Sequence, residues 1–211
     1  MFKELTDHAH QDFEARHLAR ENALRQTRQL TRLSADAIRA IHRDERAAAE
    51  ENMAAARTIV QELGSLLGDH PDLYHSGYTQ DAIKEYVEAR LTISFIADEP
   101  LPLPEDLGVI YSTYLRGMAE TIGELRRRCL DILRHGYSDD AERLLNVMDE
   151  IFAMLVTLDY PDAITNGLRH QTDMVRGIIE RTRADLTISL RDDRLQQALR
   201  DFEARINNHG A

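Results

Sequence analysis

Two stretches decide the fold of this chain: residues 83–90, IKEYVEAR, and residues 114–129, YLRGMAETIGELRRRC. Each lies inside a long helical pattern and carries two glutamates, Glu85 and Glu88 in the first and Glu120 and Glu124 in the second. A spacing of three or four residues places both carboxylates of a pair on one face of a helix. Two such faces opposed in a helical bundle would present four oxygen donors, the ligand type that Mg²⁺ and Mn²⁺ prefer.

Helical periodicity continues outward from both stretches. The only long break is residues 98–108, DEPLPLPEDLG, which hold three of the five prolines and predict a loop. Gly136 is predicted to end the helix of the second stretch, and Ser138 with two following aspartates predicts the start of the next one. The pattern predicts helices at about 8–45, 46–67, 80–97, 109–136, 139–157, 160–189 and 191–207. We therefore expect an all-α fold, a single domain over residues 1–211 built as an elongated bundle of about seven helices.

The composition restricts the class of protein. The chain has 211 residues, 43% of them hydrophobic and 30% charged, with no tryptophan and a net charge of -11. Such an acidic chain binds a polyanion only through a local basic patch. Cys129 is the only cysteine, which excludes an internal disulfide. The polar N-terminal segment and the lack of a long apolar run predict a cytoplasmic protein that is not bound to a membrane.

The faces that carry the glutamates are predicted to be partly buried. On the helix of the first stretch, Ile83, Val87 and Leu91 form an apolar stripe on the side opposite Glu85 and Glu88. On the helix of the second stretch, the glutamates share a face with Thr113 and Gly117, whose small size allows another helix to come close.

The glutamate pairs are open to three alternative interpretations. Exposed glutamates on helices are usually solvated charge. Ferritin-like di-iron sites need Glu-x-x-His on two helices, which does not occur near these pairs. All-helical nucleotide pyrophosphohydrolases use Glu-x-x-Glu followed by Glu-x-x-Asp, which also differs from the pattern here.

A basic stripe on the first helix is a candidate nucleic-acid surface. Its five members fall within an arc of about 60° on a helical projection, opposite an apolar stripe, and such an arrangement suits a groove that holds phosphates. They are Arg25, Arg28, Arg32, Arg39 and Arg43. A second cluster, Arg126, Arg127 and Arg128, lies just beyond Glu124. The alternative is that these arginines pair with nearby acids.

The two glutamate stretches resemble the translin family, in particular its catalytic branch, translin-associated factor X (TRAX). IKEYVEAR is similar to that branch's Gln-Glu-Tyr-Val-Glu-Ala segment. YLRGMAETIGELRRRC is similar to its Tyr-Leu-x-Gly-Val-Ala-Asp-x-x-Gly-Glu-Leu-x-Arg-x-Cys segment. Residues 37–43 and 168–186 extend the resemblance over nearly the whole chain. One departure is that Glu120 stands where the family has aspartate.

The resemblance implies a translin-like fold of seven helices and a closed homo-oligomer of six to eight subunits around a cavity. It also implies Mg²⁺-dependent endonucleolysis of single-stranded RNA, with single-stranded DNA as a further ligand. The carboxylates carried over as catalytic and metal-binding residues are Glu85, Glu88, Glu120 and Glu124. The alternatives are a non-catalytic container for single-stranded nucleic acid and a nucleotide pyrophosphohydrolase.

Overall fold

The computed structural model describes residues 2–209, with side chains described through residue 207. Within that part of the chain there are nine helices and no strand. They are α1 (Phe2–His42), α2 (Arg46–Leu66), α3 (Pro71–Tyr74), α4 (Gly77–Ile96), α5 (Pro104–Leu107), α6 (Tyr111–Leu133), α7 (Asp139–Val156), α8 (Asp162–Thr165) and α9 (Leu168–His209). The all-α prediction is therefore confirmed.

The helix count differs from the expected seven for two reasons. Short helices were not predicted, and one long helix, α9, covers most of the two that were predicted at 160–189 and 191–207. Three helices, α3, α5 and α8, have four residues each, and α5 lies within the predicted loop. Residues 189–192 contain neither glycine nor proline, so nothing stops α9 where a break was predicted. The earlier break is at Asn166 and Gly167, whose positive φ angles separate α8 from α9.

The chain divides into two compact units at Met118 and Ala119. The expectation of a single domain stays a prediction. The division falls within helix α6. Its first turns belong to the first unit, and the rest of the helix belongs to the second.

The first unit is built on α1, α2 and α4, which pack on one another. Asp44, with a φ of 60°, turns the chain between α1 and α2. The core between these helices consists of aliphatic side chains without solvent exposure, such as Leu30, Leu63, Ile83 and Leu91. Hydrophobic burial therefore fixes the rotation of α4 about its axis, which decides where its glutamates point.

The second unit packs α7 against α9. Ser138 caps α7 by accepting a hydrogen bond from the Asp140 backbone N–H at 3.2 Å, as predicted. Helix α7 buries Leu144 and Met148, and α9 buries Leu168 and Val175. No helix in the described part of the chain is long and apolar enough to cross a membrane.

Candidate functional site

Helix α4 presents Glu85 and Glu88 at the edge of a packed surface. Ile83 and Val87 are fully buried on the side opposite the glutamates, as the pattern predicted. Both glutamates are themselves half-buried. Thr92 is also buried, one turn beyond Glu88 on the same face. This face of α4 is therefore not an ordinary solvated one.

The first turns of α6 pack closely on α4. Thr113 Oγ1 donates to Gln80 Oε1 at 2.5 Å. A Cβ added at Gly117 would lie 2.8 Å from the Val87 side chain and 3.0 Å from the Lys84 carbonyl oxygen. From Thr113 to Gly117 on α6, the contacted residues on α4 also shift toward the C-terminus of that helix. The same register, continued by about one turn, leads to Glu88 on α4 and Glu120 on α6. The absence of a side chain at Gly117 allows this approach, as the sequence predicted.

Three of the four predicted glutamates come together. Glu85, Glu88 and Glu120 each offer a carboxylate oxygen, and these atoms lie within 4.8 Å of one another. We call these three residues the carboxylate group. Glu120 also accepts a hydrogen bond from Gln171 Nε2 at 2.8 Å. Glu124 is not a member of the group, and its Oε2 lies 3.7 Å from Arg127 Nη1.

The donor set suits a hard divalent cation. Three half-buried carboxylates at this separation repel one another unless a cation or shared protons intervene. Mg²⁺ and Mn²⁺ take carboxylate oxygens and keep several water ligands, so three protein oxygens suffice. The residues present therefore fit a single Mg²⁺ or Mn²⁺ ion.

Two residues beside the carboxylate group were not predicted from the sequence. Lys84 is buried, with 9% of its surface exposed, and its Nζ lies 3.4 Å from Glu85 Oε1. A lysine beside a glutamate in a helix gives no sequence signal, because neighbouring residues point about 100° apart. Gln171 lies 51 residues from Glu120 along the chain, so only folding brings them together.

The arginine stripe of α1 is exposed along its length. Arg25 bonds Asn22, Arg39 bonds Asp36, and Arg43 donates to both carboxylate oxygens of Glu45 at 2.9 and 2.6 Å. Three members are thus held by neighbours within or beside their own helix.

Arg28 and Arg32 differ from the other three. No side-chain hydrogen bond or ion pair joins either of them to another residue in the described part of the chain. Arg28 also lines a groove of about 320 Å³ together with Tyr78 and Glu85. A guanidinium and a member of the carboxylate group therefore line the same groove, which lies within the first unit.

The three members of the second arginine cluster differ in their surroundings. Arg126 Nη1 donates to Thr182 Oγ1 at 3.0 Å, and its Nη2 lies 2.9 Å from Asp185 Oδ2. Arg126 therefore joins α6 to α9. Arg127 is exposed beside Glu124, and Arg128 is half-buried.

Comparisons with known proteins identify relatives of this chain. No family model matches it. An uncharacterized protein of Methanocaldococcus jannaschii is 30% identical over 183 residues, which are 86% of this chain and 81% of that protein. AfC3PO is 31% identical and covers 87% of this chain, with TM-scores of 0.82 for its complex with duplex RNA and 0.81 alone. These comparisons cover 95% and 96% of the AfC3PO chain.

Apo-NeC3PO is 20% identical, covers 87% of this chain and 96% of its own, and shares the fold with a TM-score of 0.79. C3PO is the translin/TRAX complex. With relatives at this identity over most of their length, the chain belongs to the translin family.

Proposed function

We propose that this protein is a metal-dependent endoribonuclease of the catalytic TRAX branch. The observation that carries the proposal is the carboxylate group, whose oxygens lie within 4.8 Å of one another. Its members stand in the two stretches that resemble the active-site segments of that branch. AfC3PO, which is 31% identical, forms a complex with duplex RNA.

The proposed ligands of the ion are Glu85, Glu88 and Glu120, with Glu124 one turn further along α6. A Mg²⁺ or Mn²⁺ ion held there would supply Lewis-acid chemistry at a phosphate group. Gln171 holds the Glu120 carboxylate through its side-chain amide, and this bond limits the orientations that Glu120 samples. One of these four carboxylates would act as the general base that accepts a proton from the attacking water.

RNA is proposed to lie along α1, with Arg28 and Arg32 on its phosphates. Their guanidinium groups are exposed and form no ion pair with an acid among the described residues, so binding a phosphate breaks no ion pair. Arg28 lines the groove that Glu85 also lines. A phosphate on Arg28 would therefore place a neighbouring phosphate toward the carboxylate group. Arg127 and Arg128 are second candidates for phosphate contacts.

The protein is proposed to act as a closed homo-oligomer of six to eight subunits. Both of the longest helices leave apolar side chains exposed at one end. On α1 these are Phe2, Leu5 and Phe13, and on α9 they include Leu199 and Phe202, each more than half exposed. Exposed apolar surface of this kind marks protein interfaces. Sedimentation at micromolar concentration tests this, and a monomer would contradict it.

The second candidate is an RNA container without turnover. It is favoured by Lys84, whose ammonium group already neutralises part of the charge of the carboxylate group. The two candidates share the RNA surface and differ only in whether the carboxylate group binds a divalent ion.

The decisive experiment is cleavage of labelled RNA with Mg²⁺ or with EDTA, using single-stranded and duplex substrates in parallel. Nucleoside triphosphates form a third arm, since their hydrolysis would identify a pyrophosphohydrolase. We expect Mg²⁺-dependent cleavage of single-stranded RNA that Glu88→Gln and Glu120→Gln each lower by more than about 100-fold. RNA affinity should stay similar or increase, because repulsion between the group and phosphates decreases.

The matched control is Glu51→Gln, which removes one exposed carboxylate from α2. It should cleave like the parent protein. Normal cleavage by both site variants would reject the assignment. RNA binding without cleavage under any of these conditions would favour the container.

A further inference from the structure

Lys84 is an unusual cation in this chain. Of the 26 basic residues counted as lysine or arginine, only two are lysines, Lys3 and Lys84. Lys3 lies in the exposed first turn of α1. Lys84 is buried, and its Nζ lies 3.4 Å from Glu85 Oε1. An ammonium group is therefore part of the surroundings of the carboxylate group.

The position of Lys84 is fixed by packing rather than by chance. Its backbone carbonyl lies against Gly117, where α4 and α6 pack closely. Burying an ammonium group is unfavourable unless an opposite charge compensates it. Gathering three carboxylates is unfavourable for the same reason. Each charge thus partly compensates the other, in the absence of a metal ion.

The same contact opposes a metal ion. A divalent ion bound to Glu85 at about 2.0–2.1 Å would lie close to the Lys84 ammonium, because both would contact the same carboxylate. Coulomb repulsion between a single and a double positive charge about 4–5 Å apart corresponds to at least about a ten-fold loss of affinity, even in a water-like medium.

We propose that Lys84 is a built-in counter-cation of the carboxylate group, which holds the group together in the metal-free protein and competes with the divalent ion for Glu85. This inference rests on the proposed metal site and concerns its regulation. Lys84 is a positioning residue, since it acts through Glu85. Occupancy of the site is then set by the concentration of free divalent ion, because binding requires the ion to displace or repel an internal charge.

The test measures binding and stability rather than activity. Mn²⁺ affinity is measured by calorimetry and by electron paramagnetic resonance on the full chain, for the parent protein, Lys84→Met and Lys84→Arg. Thermal unfolding is recorded with EDTA and with saturating Mn²⁺. Lys3→Met is the matched control, because it removes the other lysine from an exposed site.

We expect Lys84→Met to bind Mn²⁺ about ten-fold more tightly or better. It should unfold at a lower temperature than the parent protein in EDTA, and Mn²⁺ should raise its midpoint by more. Lys84→Arg keeps the charge and should stay within about three-fold of the parent affinity. Lys3→Met should match the parent in all measurements. If Lys84→Met does not fold, Lys84→Gln replaces it in each measurement.

Three outcomes would bear on the inference in different ways. Equal Mn²⁺ affinity in the parent and in Lys84→Met would overturn it while leaving the proposed function intact. A lysine that only fills space would produce this result. Failure of both proteins to bind Mn²⁺ would overturn the inference together with the metal-dependent function. Binding by Lys84→Met alone would support the inference and favour the RNA container as the function of the natural chain.

Discussion

Replacing Gly117 with alanine tests the close approach of α4 and α6. The new methyl carbon would lie 2.8 Å from Val87 Cβ and Cγ1 and 3.0 Å from the Lys84 carbonyl oxygen. Favourable contacts between carbon atoms lie at about 3.5–4.0 Å. One of the opposing atoms is backbone and the others belong to a stiff β-branched side chain, so relief requires the helices to separate.

The expected loss of stability follows from two opposing effects. Inserting one extra methyl group into a packed interior usually costs about 1–3 kcal/mol. Alanine is also a better helix former than glycine, which offsets about 1 kcal/mol of that cost. We therefore expect Gly117→Ala to lower the free energy of unfolding by up to about 2 kcal/mol. For a chain of this size that corresponds to a melting temperature lower by up to roughly 8 °C.

Gly123 in the same helix is the matched control. It is exposed, and a Cβ added there would meet no described atom within 4 Å. Gly123→Ala should therefore raise stability by about 0.5–1 kcal/mol. Both variants are measured by urea unfolding and by Mn²⁺ titration. Gly117→Ala should also weaken Mn²⁺ binding, since Glu120 follows Gly117 by one turn. If both variants are equally stabilised, the close approach is not present in solution.

Two further predictions concern the arginine stripe and the cysteine. Arg28→Ala with Arg32→Ala should weaken RNA binding and reduce the slope of log affinity against log salt by roughly 1–2. Arg39→Ala, whose side chain is held by Asp36, should change the slope less, and an unchanged slope in the double variant would move the RNA path elsewhere. Burial raises the pKa of the Cys129 thiol to about 12, so a thiol reagent at pH 8 should label it only as fast as the chain unfolds. Rapid labelling of the folded protein would contradict that burial.

Local sequence patterns predicted the elements well where the chain carries explicit start or stop signals. Ser138 begins α7 because its hydroxyl accepts a backbone N–H, and Gly136 adopts the left-handed conformation before it with a φ of 111°. The apolar stripe of Ile83, Val87 and Leu91 predicted which face of α4 is buried. Where such signals are absent, the predictions were wrong. The short helix α5 was predicted as a loop, and a break was predicted within α9.

The glutamate positions and the small size of Gly117 could also be recognised in the sequence, because helical spacing and side-chain volume are local properties. Only the tertiary structure decided which glutamates meet. The register between α4 and α6 depends on the contact of Gly117 with Val87, and it places Glu120 rather than Glu124 in the carboxylate group. The electrostatic surroundings of Lys84 were likewise decided by the tertiary structure. The charges around a residue come partly from elements that are distant in sequence, so no local pattern predicts them.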